Sequence, residues 1–252
     1  MNTKTKTTSY IVHSIAAAVL VLTAQVTLAG SATWLSSPQD SAWENANNWT
    51  ADGPPNGASD IATFARSSQT HVNITTSEEV SSIMFTSDSP SFNFSILGGE
   101  LSISGTGIND NNSVLQTFLA GNGGQIIFNN TATAGHAAII NGGGFMSTVS
   151  GQSIFNDSST AEAATLVAYG GDYGYTSGGI TFNGTSTGGT ARVKVFRGFP
   201  SNAPNGYLNI GGHQSGVSIG SIDGDGDVFL GRNTLTVGTN DTQANTDIGL
   251  RK

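Results

Sequence analysis

The sequence predicts an all-β solenoid, a parallel β-helix whose coils are about 27 residues long. Three observations predict it. Three consecutive stretches repeat one another at that period without a gap. The apolar residues of the remaining chain fall in runs of three to six that alternate or nearly so, separated by Gly and Asn, and no stretch beyond the leader keeps a helical period. Finally, 34 of 252 residues are Gly and only 10% are charged, against roughly 7% and 25% in an average globular chain. Helices whose outer faces need Lys and Glu are not drawn from such a composition.

In chain order, residues 1–30 read as a secretory signal peptide. Lys4 and Lys6 form a basic start, Ile15 to Leu22 (IAAAVLVL) an apolar core, and T-L-A-G-S-A offers cleavage after Ala29 or Ala32. The apolar run is shorter than the about 20 residues of a spanning helix; an uncleaved anchor is the other reading. Loss of the leader takes the formal net charge from −8 to −10, because it carries two lysines and no acid. With no second hydrophobic segment, the expectation is an exported protein, extracellular or at a bacterial cell surface, with no integral membrane segment after the leader is removed.

Composition excludes several classes. Cysteine is absent, which removes disulfide frameworks, thiolate metal sites and Cys nucleophiles. The basic residues form no long patch, so nucleic acid is not an expected partner.

Residues 31–79 are expected to form an N-terminal capping region around Trp34, Trp43 and Trp49. Such a cluster either stacks on sugars or plugs the open end of a solenoid, which must be covered to stay soluble; capping is the expectation. Residues 80–252 are expected to be β-helix repeats, beginning with Val80 to Phe85, Phe92 to Ile96 and Leu101 to Ser104.

The clear copies span 124–150, 151–177 and 178–204. They open as GQIIFNNTATAGHAAII, GQSIFNDSSTAEAATLV and GGITFNGTSTGGTARVK. Phe128, Phe155 and Phe182 align, as do Asn129, Asn156 and Asn183, then Thr133, Thr160 and Thr187, then Ile139, Leu166 and Val193. Gly124, Gly151 and Gly178 open the copies. Each copy holds two strand-like stretches bounded by turn formers. Stacked at about 4.8 Å, identical columns become ladders, and an Asn ladder can bond amide to amide. After the copies come Tyr207 to Ile210, Val217 to Ile222, Val228 to Leu230 and Leu235 to Val237. A β-sandwich is the alternative fold, but it supplies no reason for a 27-residue register.

The stretch GSIDGDGDVFLGRNTLTVGTND, Gly220 to Asp241, resembles the autotransporter-associated β-strand repeat, with Gly220, Ser221, Ile222, Gly224, Gly226, Val228, Leu230, Gly231, Leu235, Thr236, Val237 and Gly238 matching its pattern. The F-N-x-x-x-T-A-G copies resemble companions of that repeat in bacterial exported proteins, and Trp43-x-Asn45-x-x-Asn48-Trp49 resembles the start of many of them. The resemblance implies a right-handed β-helix in a large secreted or surface protein and is nearly silent about activity. Two departures stand out. Such proteins carry many more copies, and an autotransporter ends in a membrane barrel of strands about ten residues long, for which the segment after the repeat leaves no room. The expectation is therefore a truncated member or another export route.

Gly184 to Gly188 (GTSTG) matches the hydrolase pattern G-x-S-x-G, but Ser186 aligns with Ser159 and Ala132 inside the repeat, without the strand–turn–helix that motif needs. Asp223, Asp225 and Asp227 alternate with Gly and suggest either a solvated turn or a Ca²⁺ site, although the spacing of an EF-hand fails. Across the copies the acids are Asp157, Glu162 and Asp172, and none shares a column with another, whereas glycoside chemistry needs paired carboxylates. Arg192 and Lys194, with Arg197 nearby, lie on one face of a strand and suit either solvent or an acidic sugar. His71, His136 and His213 share no column or ligand spacing.

The reading is a non-catalytic, passenger-like structural or adhesin-like β-helix. No catalytic, cofactor-binding or metal residue is assigned, and polysaccharide or a surface protein is the expected partner. The alternative is a carbohydrate-active enzyme, a polysaccharide lyase or hydrolase, on the same scaffold.

Overall fold

The computed structural model describes residues 30–51, 53–145, 149–238 and 249–251. The expected leader lies outside them apart from Gly30, as do the last residues of the stretch from Gly220 to Asp241.

The chain alternates between two parallel sheets and so winds a β-solenoid of about seven turns. The first sheet has ten strands: Ala32–Thr33, Gly57–Phe64, Ser77–Phe85, Glu100–Asp110, Gln125–Phe128, Gln152–Phe155, Gly179–Phe182, Tyr207–Asn209, Asp227–Phe229 and Gly249–Arg251. The second has seven: His71–Ile74, Asn93–Leu97, Thr117–Gly121, Ala138–Asn141, Thr165–Ala168, Arg192–Val195 and Ser221–Gly224. From Gly107 onward a narrower third edge runs between them. There Gly107, Thr133, Thr160 and Thr187 bridge in parallel, and Val217–Ile219 pairs with Leu235–Val237. Among the described residues the only helix is the single 3-10 turn Ala46–Asn48.

The register is the one the repeat predicts. Phe155 pairs with Phe128 and Phe182, and Leu166 with Ile139 and Val193. Alternation along each strand sends one residue in and the next out, so Ile126 and Phe128 are buried while Gln125 and Ile127 are half-buried. The rings of Phe128, Phe155 and Phe182 stack at 4.7 Å, 4° and 12° from parallel, the spacing of adjacent strands. On the second sheet Phe94 and Phe118 stack at 4.4 Å.

The repeated glycine at the start of each copy marks a crossing too close for a side chain. A Cβ on Gly151 would lie 2.0 Å from the carbonyl oxygen of Ala120, and one on Gly124 or Gly178 would lie 1.9 or 2.2 Å from that of Ile96 or Asn141. Each glycine lets the incoming strand of the first sheet pass the end of a second-sheet strand.

Outside the copies the coil length changes. Leu101 pairs with Ile126, 25 residues on, and Tyr207 with Asp227, 20 on. Irregularities after Gly57 and Val80 break the register in the early coils. The coils also begin earlier than residue 80, since Gly57–Phe64 and His71–Ile74 already lie in the two sheets. The expected run Val217 to Ile222 divides at Gly220. Its two halves serve the third edge and the second sheet, because the N–H groups of Gly220 and Ser221 both turn to the carbonyl of Ala191.

The N-terminal end is closed by Trp34, Trp43 and Trp49, which are buried and pack edge to face around Phe64. Their indole N–H groups donate to the carbonyls of Gln69, Pro55 and Trp43. The asparagines between them build the loop. Asn45 accepts from the Asn47 N–H to cap the 3-10 turn, and buried Asn48 accepts from the N–H groups of Gln39 and Asp40 while donating to Asp40 and the Ala42 carbonyl. Hydrogen bonds from Asn48, then Ala42 and Asn45, hold the Asp40 carboxyl below its ordinary range.

Candidate functional site

The motifs singled out in the sequence are dispersed by the fold. Ser186 is buried, and its hydroxyl donates to the Asn183 carbonyl; Ser159 does the same to Asn156. It is a turn-stabilising hydroxyl with no exposed Oγ to act as a nucleophile. The three aspartates of D-G-D-G-D part company. Asp223 accepts from the Gly224 N–H, Asp225 takes the Arg197 N–H at 2.8 Å and its guanidinium at 3.5 Å, and Asp227 meets Asn205 and the Arg251 guanidinium. Among the described residues no group of three His, Asp or Glu is arranged to hold a metal ion.

The histidines are likewise separate. His71 Nε2 lies 3.1 Å from the Ser95 hydroxyl, and His136 is exposed in a turn. His213 is buried below Ser186: its Nδ1 accepts from the N–H groups of Ser215 and Gly216, so Nε2 carries the proton and donates to the Ser186 carbonyl at 2.7 Å. The tryptophans are core and present no face to a ligand.

Two surfaces remain. The first is a hollow of about 310 Å³ on the first sheet, lined by Asn56, Ser77, Glu78, Glu79, Glu100 and Ser102. Glu100 pairs with Ser77 and Glu79 with Ser102, so the two outward carboxylates sit on a diagonal of the ladder. One strand step and two residues along place their Cα atoms about 8 Å apart. Glu79 accepts from the Ser104 hydroxyl at 2.7 Å. Glu78 alternates to the inside and is 4% exposed, with one oxygen unpartnered. Burial raises its pKa; the hydrogen bond from the Thr76 hydroxyl opposes this and the charge of Glu44 adds to it. Glu44 goes the other way: burial favours its proton, but the N–H groups of Thr75, Glu44 itself and Thr76, with the Thr75 hydroxyl, outweigh that and lower its pKa. Sequence reasoning missed these acids because they lie in irregular coils before the copies, where no period places them in columns.

The second surface is the outer face of the second sheet. Arg192, Lys194 and Phe196 follow one another at alternate positions, beside Thr165, Val167 and Tyr169 of the preceding coil, beside Ala138, Ile140 and Gly142 of the one before. Tyr169 and Phe196 stack at 5.3 Å and 18°, and Tyr169 is 47% exposed. In the preceding coil the position 27 residues earlier is Gly142, next to Asn141, whose carbonyl accepts from the Tyr169 N–H. Among the described residues neither Arg192 nor Lys194 has an ion-pair partner, in contrast to Arg197 and Arg251.

No family model, curated protein or solved structure matches the chain. No helix among the described residues is long and apolar enough to cross a membrane.

Proposed function

We propose that this protein is an exported, non-catalytic β-solenoid that acts as a structural or adhesin-like element at a bacterial surface, in the manner of an autotransporter passenger. The supporting observation is the coil-to-coil bonding of its side-chain ladders. Asn129, Asn156 and Asn183 link through their amides at 3.0 Å, and the Thr187 hydroxyl donates to that of Thr160 at 2.9 Å. Ladders of this kind stiffen a rod along its axis while leaving hydroxyl and amide groups at the surface for polysaccharide or a surface protein. Repeat spacing makes that surface periodic, which suits a polymer better than a small molecule.

The leader and the surface role are tested together. The full chain is expressed in a Gram-negative host with and without residues 1–30, and the fractions are compared. The expected result is export of a trimmed protein only when the leader is present, and retention on isolated envelope polysaccharide without shortening it. Retention of the full chain in the cytoplasm overturns the reading.

The acidic hollow favours a second reading, a polysaccharide hydrolase. Inverting hydrolysis needs two carboxyl groups about 6.5–9.5 Å apart, and Glu79 and Glu100 place two outward carboxylates on one diagonal of the ladder beside the same hollow. Release of reducing ends that is lost in both Glu79→Gln and Glu100→Gln establishes this reading in place of the first.

A further inference from the structure

We infer that the outer face of the second sheet, from Ile140 and Thr165 to Arg192 and Lys194, binds an acidic polysaccharide, with Tyr169 as its stacking platform. The inference rests on the surface-adhesion reading and names its ligand class. Three features of the face converge. Its outward side chains over the coils of Ala138–Asn141 and Thr165–Ala168 carry no charge: Ala138, Ile140 and the hydroxyl-bearing Thr165 are half-buried, and Val167 between them is buried. They therefore form a flat strip on which a sugar backbone can lie without displacing a hydrated ion. The strip ends at Arg192 and Lys194, two cations without an ion-pair partner among the described residues, on a chain whose formal net charge is −8. The overall charge repels polyanions at long range, so these two side chains fix where an anionic group can land. A guanidinium and an ammonium two residues apart suit carboxylates spaced along a polymer.

The third feature is the exposed ring of Tyr169. Tyr169 stacks on Phe196 and is 47% exposed, directly after the strand Thr165–Ala168 that carries the strip. An aromatic face beside an aliphatic strip accepts the C–H face of a pyranose, while the phenol oxygen stays at the wet edge. On the far side of the cations, Ser221 is in register with Arg192 and Asp223 with Lys194. The carboxylate of Asp223 repels an anion there, so the polymer is confined to the side of Tyr169.

The test is native electrophoresis through gels containing polygalacturonate, with neutral dextran and polyaspartate gels as controls. The protein is expected to be retarded by polygalacturonate alone. The double variant Arg192→Gln, Lys194→Gln should lose about tenfold in affinity, as expected for removing charge-assisted contacts, and Tyr169→Ala should weaken binding while leaving the circular dichroism spectrum and melting temperature unchanged. Equal retardation by polyaspartate shows that charge alone is read and overturns the inference. So do no retardation by polygalacturonate, an undiminished double variant, or a parent that sediments as a dimer dissociated by Tyr169→Ala. Those failures leave the adhesion reading standing if envelope retention persists, whereas shortening of the polysaccharide defeats the adhesion reading itself.

Discussion

The side-chain amide of Asn156 donates to Oδ1 of Asn129 at 3.0 Å, and its own Oδ1 accepts from Asn183 at the same distance. The chain separates each pair by 27 residues, yet the fold places them one rung apart. Asn129 extends the ladder by donating to the Ser102 hydroxyl, where the preceding coil has no Asn to offer. Each amide is half-buried and held by its neighbours, so the ladder ties four coils together by side chains as well as by backbone.

Asn156→Ala is the sharpest probe of that ladder. It removes both bonds and leaves the Asn129 oxygen and the Asn183 amide unpartnered. The expected loss is about 1–2 kcal/mol, because these groups are only half-buried and water can take part of their bonding. Asn183→Ala, which breaks one link, should cost about half as much. Urea unfolding of both variants against the parent provides the comparison, with equal losses for the two as the contrary result.

Gly151→Ala tests the close crossing. The added methyl would sit 2.0 Å from the Ala120 carbonyl oxygen, and backbone on both sides leaves nothing flexible to yield. A loss of about 2–3 kcal/mol is expected from forced displacement of the two sheets. Gly174→Ala is the matched control for steric crowding: nothing lies within 4 Å of its Cβ position, although its φ of 86° imposes a smaller local penalty. Thermal melts of the two should therefore rank Gly151→Ala well below Gly174→Ala.

Much of this architecture was legible in the sequence, and the copies show why. Phe128, Phe155 and Phe182 recur at fixed spacing because a coil of constant length keeps identical side chains in one column, and periodicity survives in sequence whenever coil length does. Where coils vary, at Leu101 to Ile126 or Tyr207 to Asp227, the same ladder leaves no period to read. The acidic hollow falls in such a stretch, so the diagonal of Glu79 and Glu100 was invisible. The exposure of Tyr169 was hidden for another reason. Its column partner is Gly142, and an exposed ring is recognised only when the register assigns it a neighbour without a side chain.

Trp43→Ala addresses the closed end. Trp43 is fully buried against Trp49 at 4.8 Å and Phe64 at 5.9 Å, and truncating a buried tryptophan costs about 3–5 kcal/mol. In a solenoid each coil leans on the next, so the damage should spread from the N-terminal end. Hydrogen exchange is expected to rise in Gly57–Phe64 and His71–Ile74 while Gln152–Phe155 stays protected. A uniform rise across all coils would show instead that the rod unfolds as one unit.

The Thr76 hydroxyl lies 2.7 Å from Glu78 Oε1 and 3.2 Å from Glu44 Oε1, so a single proton serves two carboxylates. Their pKa shifts have opposite signs, and so do their contributions to stability. Burial raises the Glu78 pKa in the folded protein. Between the ordinary glutamate range near about 4.3 and that raised value, the folded state holds a proton the unfolded chain has released. Its contribution is therefore present at low pH and is lost as pH rises through the window. Glu44, with its pKa lowered, contributes above the ordinary range and loses that contribution as pH falls. Glu78→Gln keeps an acceptor for Thr76 but cannot ionise, so the variant should gain on the parent as pH rises. The melting temperature of the variant relative to the parent should therefore rise steadily from about pH 4 to about pH 8. Glu44→Gln should lose on the parent over the same interval. Parallel melting curves for parent and Glu78→Gln at every pH would mean that Glu78 is ionised throughout and that its buried oxygen is reached by water.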